Sequence, residues 1–330
     1  MQTFTRWIVE FDVDGYRLDC GIDAGHSAPY AVARELWDRV VNASARAGKL
    51  IVIIPERGPR YHFGQRDTRP SRDLAGEFTP TFGKDGGCFA SVQISQHGFG
   101  GHSPPGNYYA IHGSRAVFGY NVLGYNIPVF MGGEEFDAGE VCLPKQSRGF
   151  YGFDTVCNST TTEICHGPGG GLYGTMMNWT MNTTQRAMLA DASRILAIRQ
   201  AHSGILHTNR CTTRILSLNC TEGGSARNST CSYAPYARYD HGKEAIIVAA
   251  SDDAQSGTTQ VLDVAAQLHA MGMGAAESFM LEDLWNGQPP RKVAVGMLGA
   301  LALPINPDRS AGGGLAVLRL TPHSRSSPRT

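Results

Sequence analysis

The sequence predicts an α/β domain followed by a smaller antiparallel β domain. Helical patterns alternate with strand-like runs over the first 200 residues or so. The run Leu-Ile-Val-Ile-Ile at 50–54 is typical of a parallel strand buried on both faces. After about residue 235 the pattern changes to short β runs separated by turns. Parallel strands that alternate with helices indicate a barrel or an open sheet, and 330 residues suffice for two domains.

Two β-α-β units follow from the apolar spacing of the first part. Its elements, in order, are a helix at 4–12, a strand at 13–18, a helix at 29–47, a strand at 50–54, a strand at 91–95, a helix at 108–123, a strand at 127–131 and a helix at 184–201. Apolar residues recur every three to four positions in the helices, and Gly48 is a typical helix C-terminal residue.

Four regions are expected along the chain. They are the α/β domain at 1–205, a Cys- and Asn-rich connector at 206–234, an antiparallel sandwich at 235–322 and a disordered tail at 323–330. The β runs that predict the sandwich lie at 245–249, 279–281, 293–295 and 315–318.

Two carboxylates stand at the ends of neighbouring predicted strands. Asp19 ends the first strand, and Arg17 precedes it by two positions on the same strand face. Glu56 ends the second strand. Alone, Asp19 is more typical of a helix cap and Glu56 of a solvated loop. Together, at one end of one sheet, they match the carboxylate pair of a retaining glycosidase, in which about 5–5.5 Å separates nucleophile and acid.

Four ordered motifs resemble glycoside hydrolase family 13, the α-amylase family. They lie at 11–19 (Phe-Asp-Val-Asp-Gly-Tyr-Arg-Leu-Asp), at Pro55-Glu56, at 94–98 (Ile-Ser-Gln-His-Gly) and at 124–136. The resemblance implies strands 4–8 of a (β/α)8 TIM barrel followed by a β-sandwich. It also implies a retaining α-glycoside hydrolase or transglycosidase that acts on α-linked glucans.

The resemblance also assigns site residues. It implies Asp19 as nucleophile, Glu56 as acid/base, and Arg17, His97 and Tyr16 as substrate contacts. No cofactor is implied. Calcium is common in the family, but the loop that would bind it lies outside this chain, so the resemblance allows calcium only in a full-length protein.

Two departures from the family pattern keep alternatives open. Gly98 follows His97, where the family has an Asp that stabilises the positively charged transition state. Barrel strands 1–3 would precede Met1, and the sequence between Glu56 and 91 does not identify strand 6. The chain could therefore be a non-catalytic carbohydrate-binding or partner subunit of the same fold, or a fragment of a longer protein.

Charge, cysteine and asparagine bear on partners and compartment. The formal net charge is zero, so bulk charge attracts neither nucleic acid nor a membrane surface, and no apolar run is long enough to span a bilayer. Six Asn begin glycosylation sequons and eight Cys are present without Cys-x-x-Cys spacing. We therefore expect an extracellular or secretory-pathway glycoprotein with disulfides, without a metal site. The sugar substrate is the expected partner, and the oligomeric state is open.

Overall fold

The structure is a computed structural model. It describes residues 2–18, 30–49, 51–55, 63–66, 89–93, 114–124, 127–129, 133–136, 140–142, 175–177, 179–207, 214–223, 231, 233–251, 257–306 and 314–323. The helices in this part of the chain are α1 (Gln2–Phe11), α2 (Tyr30–Arg46), α3 (Ser114–Val122), α4 (Thr183–Ala201) and α5 (Ser203–Leu206). Short 3-10 helices span Glu134–Phe136, Ala265–Gln267 and Val295–Ala300.

Sixteen strands occur within these ranges. Those of the first part are β1 (Gly15–Leu18), β2 (Val52–Pro55), β3 (Phe63–Arg66), β4 (Phe89–Gln93), β5 (Ile127–Val129), β6 (Glu140–Cys142) and β7 (Thr175–Met177). Those of the second part are β8 (Ile215–Ser217), β9 (Asn219–Gly223), β10 (Tyr236–Asp240), β11 (Glu244–Ala250), β12 (Thr258–Asp263), β13 (Ser278–Asp283), β14 (Gln288–Ala294), β15 (Leu301–Ile305) and β16 (Leu315–Pro322).

The first five strands pair only in parallel. β1 pairs with β2, and β3, β4 and β5 form a second parallel sheet in that order. Cα atoms of β2 and β3 approach within 8 Å, so the two sheets lie side by side. The strands predicted at 13–18, 50–54, 91–95 and 127–131 are confirmed with bounds shifted by one or two residues, and β3 is an additional strand.

Helix α1 ends at a left-handed residue that turns the chain into β1. Asp12 has φ 56°, and the amide of Val13 donates to the carbonyl of Trp7, six positions earlier, at 3.4 Å. Behind β1, Ile8 of α1 and Val40 of α2 are buried together, and Tyr16 packs against them. The two helices therefore cover one face of the β1–β2 pair.

Helix α4 begins with a capping box and packs on α3. The Asn182 side chain accepts from the amide of Gln185, and the Gln185 side chain accepts from the amide of Asn182, both at 2.9 Å. Arg115 of α3 forms an ion pair with Asp191 of α4. Both helices rest on a sheet of the second part, and a Cβ at Gly119 would lie 2.4 Å from a methyl carbon of Leu315. The missing side chain thus permits close contact between α3 and β16.

The second part is a six-stranded antiparallel sheet stacked on a three-stranded one. The first has the order β14-β13-β16-β11-β10-β8, and the second has the order β15-β12-β9. Apolar residues between the two sheets form one core, whereas the opposite face of the larger sheet packs on α3 and α4 in another core. Residues 245–250 of β11 are all buried, as expected for a strand covered on both faces.

The described strands extend the expected sandwich at both ends. Residues 206–234, expected as a poorly patterned connector, contain β8 and β9, which join the larger and the smaller sheet respectively. A disulfide joins Cys220 of β9 to Cys231. At the other end, the amide of His323 donates to the carbonyl of Ser278 at 2.9 Å, and residues 324–330 of the expected tail lie outside the described residues.

Candidate functional site

The carboxyl ends of β1 and β2 stand in register next to each other. Leu18 is paired with Pro55, the last pair of a parallel ladder that begins with Gly15 and Val52. Asp19 and Glu56 are the residues that follow this last pair, one on each strand. Both lie outside the described residues, as do His97 and Gly98, which follow β4. The structure therefore describes the strands that carry the candidate carboxylates but not the carboxylates themselves.

Tyr16 is the one predicted site residue whose side chain is described. Its hydroxyl donates to the carbonyl of Phe4 in α1 at 2.5 Å, and its ring meets the Phe4 ring edge-on with centroids 5.1 Å apart. Burial raises the pKa of the Tyr16 hydroxyl. These contacts hold Tyr16 between β1 and α1, and its role in substrate binding stays a prediction.

Arg17 lies in the middle of β1, where it is paired with Ile54 of β2. Successive positions of a strand alternate between its two faces, so positions 16 and 17 belong to opposite faces. Position 17 is therefore on the side of β1 away from the α1 contact made by Tyr16. If the extended conformation continued past Leu18, the same alternation would put position 19 on this face, two residues later.

An ion cluster that the sequence did not predict lies at the opposite, amino-terminal end of the pair. Lys49 precedes β2, and its ammonium group donates to the carboxylate and, at 2.6 Å, to the carbonyl of Asp12, with Asp14 3.3 Å away. The hydrogen bond to the Asp12 side chain is the main cause of a raised Lys49 pKa. Because both Asp residues precede β1, the cluster ties the entries of the two strands together. One basic and two acidic residues near the starts of two predicted strands were the available signal in the sequence.

A second cluster follows the carboxyl end of β5. The carboxylate of Glu135 accepts from the amide of Gly133 at 2.6 Å and so closes the turn behind the strand. The next residue, Phe136, is buried, and the ring of Trp179 lies against it with centroids 5.8 Å apart. Trp179 precedes the first residue of α4 by four positions. The sequence analysis did not predict Trp179 as a site residue, and a Trp in a polar segment before a predicted helix was the available signal.

Within the described ranges, no three His, Cys, Asp or Glu side chains come together in a group that could hold a metal ion. No described helix is long and apolar enough to cross a membrane.

Comparison with known proteins gives a likeness of fold. No protein-family model and no curated protein matches the chain. Among solved structures, a trehalulose synthase variant in complex with Tris is similar with a TM-score of 0.50 at 12% identity, over 97% of this chain and 68% of that chain. At this identity the likeness concerns the fold alone.

Two further solved structures are similar at a TM-score of 0.49. One is Amy13B from Eubacterium rectale, at 14% identity over 97% of this chain and 62% of that chain. The other is a GH27 β-L-arabinopyranosidase from Geobacillus stearothermophilus, at 11% identity over 99% and 61%. The chain thus spans between 61% and 68% of the length of these proteins. Its mixed fold of parallel strands, helices and antiparallel sheets is similar to that of trehalulose synthase.

Proposed function

We propose that this chain belongs to a retaining α-glycoside hydrolase or transglycosidase of the α-amylase type, with Asp19 as nucleophile and Glu56 as acid/base. The observation that carries the proposal is the parallel register of β1 and β2, which ends at the pair Leu18 and Pro55. Positions 19 and 56 are the next residues in sequence after this last pair, one on each strand.

The spacing of neighbouring strands favours a retaining mechanism. Adjacent strands lie about 4.8 Å apart. Carboxyl groups that start from neighbouring positions on such strands reach the separation of about 5–5.5 Å used in double displacement. Inverting enzymes leave about 6.5–9.5 Å between the carboxyl groups for an intervening water, which is more than the spacing of adjacent strands. The ladder between β1 and β2 therefore supports a covalent intermediate rather than direct attack by water.

The order of the parallel strands supports a partial (β/α)8 barrel. β1 to β5 follow one another in space as they do in sequence, with β2 beside β3. They would correspond to barrel strands 4–8, and β3 would supply strand 6. Catalytic residues of such barrels stand at the carboxyl ends of the strands, and Asp19 and Glu56 directly follow β1 and β2 in sequence.

The proposed reaction proceeds in two steps. Asp19 attacks the anomeric carbon of an α-linked glucosyl unit while Glu56 protonates the departing oxygen. Glu56 then activates water or a sugar hydroxyl, which releases the glycosyl unit from Asp19. Arg17, on the strand face of position 19, would keep the nucleophile ionised, and His97 would contact the sugar.

The proposal includes the secretory route as the setting of the protein. The disulfide between Cys220 and Cys231 forms in oxidising compartments, and Asn182 and Asn219, two of the sequon residues, are exposed. A glycosylated, extracellular enzyme agrees with these features.

The test is chemical trapping of the nucleophile. A 2-deoxy-2-fluoro glucosyl donor should add one fluoroglucosyl group to the full chain, and peptide mass spectrometry should place it on Asp19. The Asp19→Asn variant should remain unlabelled. Asp14→Asn is the matched control, since Asp14 belongs to the same segment but is exposed at the other end of β1, and this variant should be labelled like the parent. Absence of any adduct on the parent chain contradicts the proposal.

Gly98 favours a second candidate, a non-catalytic carbohydrate-binding subunit of the same fold. The family's transition-state carboxylate is replaced at this position. In the enzyme, Gly98→Asp should raise kcat by about 100-fold, the typical effect of one group that stabilises transition-state charge. A chain that binds glucan but remains inert both as found and as Gly98→Asp supports the second candidate.

A further inference from the structure

Trp179 is an exposed aromatic side chain held in a fixed position. Its exposed fraction of 66% is the largest among the exposed large apolar side chains of the described residues. One side of the indole lies on Phe136, whose exposed fraction is 1%. The two rings are tilted by 39°, and two thirds of the Trp179 side chain remains open to solvent. Burial of apolar area stabilises a fold by about 25 cal/mol per Å², so a folding role alone favours an indole that is covered on both sides.

The contacts of Trp179 fix the ring before any ligand arrives. Phe136 supports it from one side, and the capping box of Asn182 and Gln185 anchors the backbone three residues later. A ring that is already ordered loses little side-chain entropy when it binds a partner. The pair Trp179 and Phe136, which we name the aromatic platform, is therefore prepared for a flat, partly apolar ligand.

The aromatic platform lies at the carboxyl end of β5. The 3-10 helix Glu134–Phe136 begins five residues after β5 ends and packs against α4. Trp179 lies four positions before the first residue of α4, which follows β5 in the chain after the antiparallel pair of β6 and β7. In an α/β unit the chain enters each helix at the carboxyl edge of the preceding strand. Positions 19 and 56 follow, in sequence, the carboxyl ends of β1 and β2, and the parallel sheet of β3, β4 and β5 lies beside this pair.

We propose that the aromatic platform binds a glucosyl unit of an α-linked glucan, away from the bond that reacts. The C–H face of a pyranose ring is apolar and stacks on an indole, whereas its rim of hydroxyl groups remains in water, as an open platform requires. The substrate class rests on the function proposed above. The place of the platform and its exposed indole face are properties of the structure alone.

The experiment measures binding without turnover. Maltoheptaose is titrated into the full chain carrying Asp19→Asn, with isothermal calorimetry as readout. Adding Trp179→Ala should raise the Kd about tenfold or more, the effect of losing one aromatic contact. Adding Trp179→Phe, which keeps an aromatic face, should change the Kd by about twofold at most. Equal melting temperatures of the variants exclude loss of the fold as the cause.

Trp7 offers a matched control on the same chain. It is 47% exposed and lies against another aromatic ring, Phe11, with centroids 4.5 Å apart. It belongs to α1, whose last residue precedes the amino end of β1, the edge opposite to the proposed site. Trp7→Ala should therefore leave the Kd unchanged.

Each outcome separates the platform from the catalytic proposal. If Trp179→Ala leaves the Kd for maltoheptaose unchanged, the proposal that the aromatic platform binds glucan is wrong. Labelling of Asp19 by the fluoro sugar tests the catalytic proposal separately and does not depend on this result. No binding of maltoheptaose at millimolar concentration by the Asp19→Asn chain also overturns it. If Trp179→Ala abolishes binding and the parent chain is not labelled by the fluoro sugar, the aromatic platform is supported as a glucan site. The chain would then be a non-catalytic binding subunit.

Discussion

His202 connects the helices of the first part with the larger sheet. It is the last residue before α5, and its amide donates to the carbonyl of Ile198 at 3.1 Å. Burial is the main cause of the lowered pKa of its imidazole, and Arg319 lowers it further. Glu244 and Glu282, which both pair with Arg319, act in the opposite direction. The folded protein therefore favours neutral His202.

The pH dependence of stability follows from this. Histidines of an unfolded chain gain a proton near their ordinary pKa of about 6.5. Because the folded pKa of His202 is lower, its contribution is complete above that pH and is lost as the pH falls through the folded value. The free energy of unfolding, from urea titrations between pH 7.5 and 5, should decline on acidification. His202→Gln should make the decline less steep, and an unchanged slope contradicts this assignment.

At single positions, the sequence indicated which residues are candidates for a site but not which side chains surround them. Asp19 and Glu56 stand out because each follows a strand. The contact of Tyr16 with Phe4 depends on the path of α1, which strand alternation does not reveal. Lys49 and Trp179 were not singled out as site residues because their partners are distant in sequence: Asp12 is 37 positions away from Lys49, and Phe136 precedes Trp179 by more than forty.

Helix α3 depends on a side chain from another helix for its C-terminal cap. The guanidinium of Arg199 in α4 is buried and donates to the carbonyls of Val122 and, at 2.9 Å, Gly124. These carbonyls close the last turn of α3, where the helix dipole favours a positive charge. Burial lowers the pKa of Arg199, so the two acceptors and the helix end must compensate for the lost hydration.

Arg199→Met should lower the free energy of unfolding by about 2–3 kcal/mol, because it leaves buried carbonyl groups without donors. Arg194→Met on the same helix is the control. Arg194 is exposed and lies 5.4 Å from the centre of the Trp285 ring. Its loss should cost only about 0.5–1 kcal/mol. Urea denaturation followed by circular dichroism gives both values, and equal losses refute the cap.

Burial and residue type influenced which strands could be predicted from the sequence. The β runs recognised in the second part became β11, β13, β14 and β16, all in the larger sheet. β9, β12 and β15, the whole smaller sheet, were not predicted. β15 alternates buried and exposed positions, and its apolar sequence Leu-Ala-Leu-Pro-Ile contains Pro304, which has no amide hydrogen and is atypical inside a strand. β3, with the sequence Phe-Gly-Gln-Arg, has no β-branched residue.

On the scale of the whole molecule, the sandwich is not independent of the helices. The face of the larger sheet that carries Tyr236, Ile246, Val248 and Val317 shares a core with α3 and α4. A shortened chain of residues 203–323 would expose this apolar face. Large exposed apolar patches promote association. The boundary at about residue 205 therefore divides the sequence, but the two parts share one apolar core across it.

Size-exclusion chromatography tests this dependence. The shortened chain should elute as aggregate, whereas the full chain should not. Ile246→Thr with Val248→Thr in the shortened chain keeps β-branched residues but makes the face more polar, and it should recover soluble monomer. A monomeric shortened chain without these substitutions contradicts the shared core.

The double cover of β11 also determines how the molecule opens. β11 lies inside the sheet between β10 and β16, with the helices on one face and the smaller sheet on the other. Its amide hydrogens can exchange with solvent only after both layers have separated. Their exchange rates therefore report global unfolding, and a ligand that binds the folded first part slows exchange in the second.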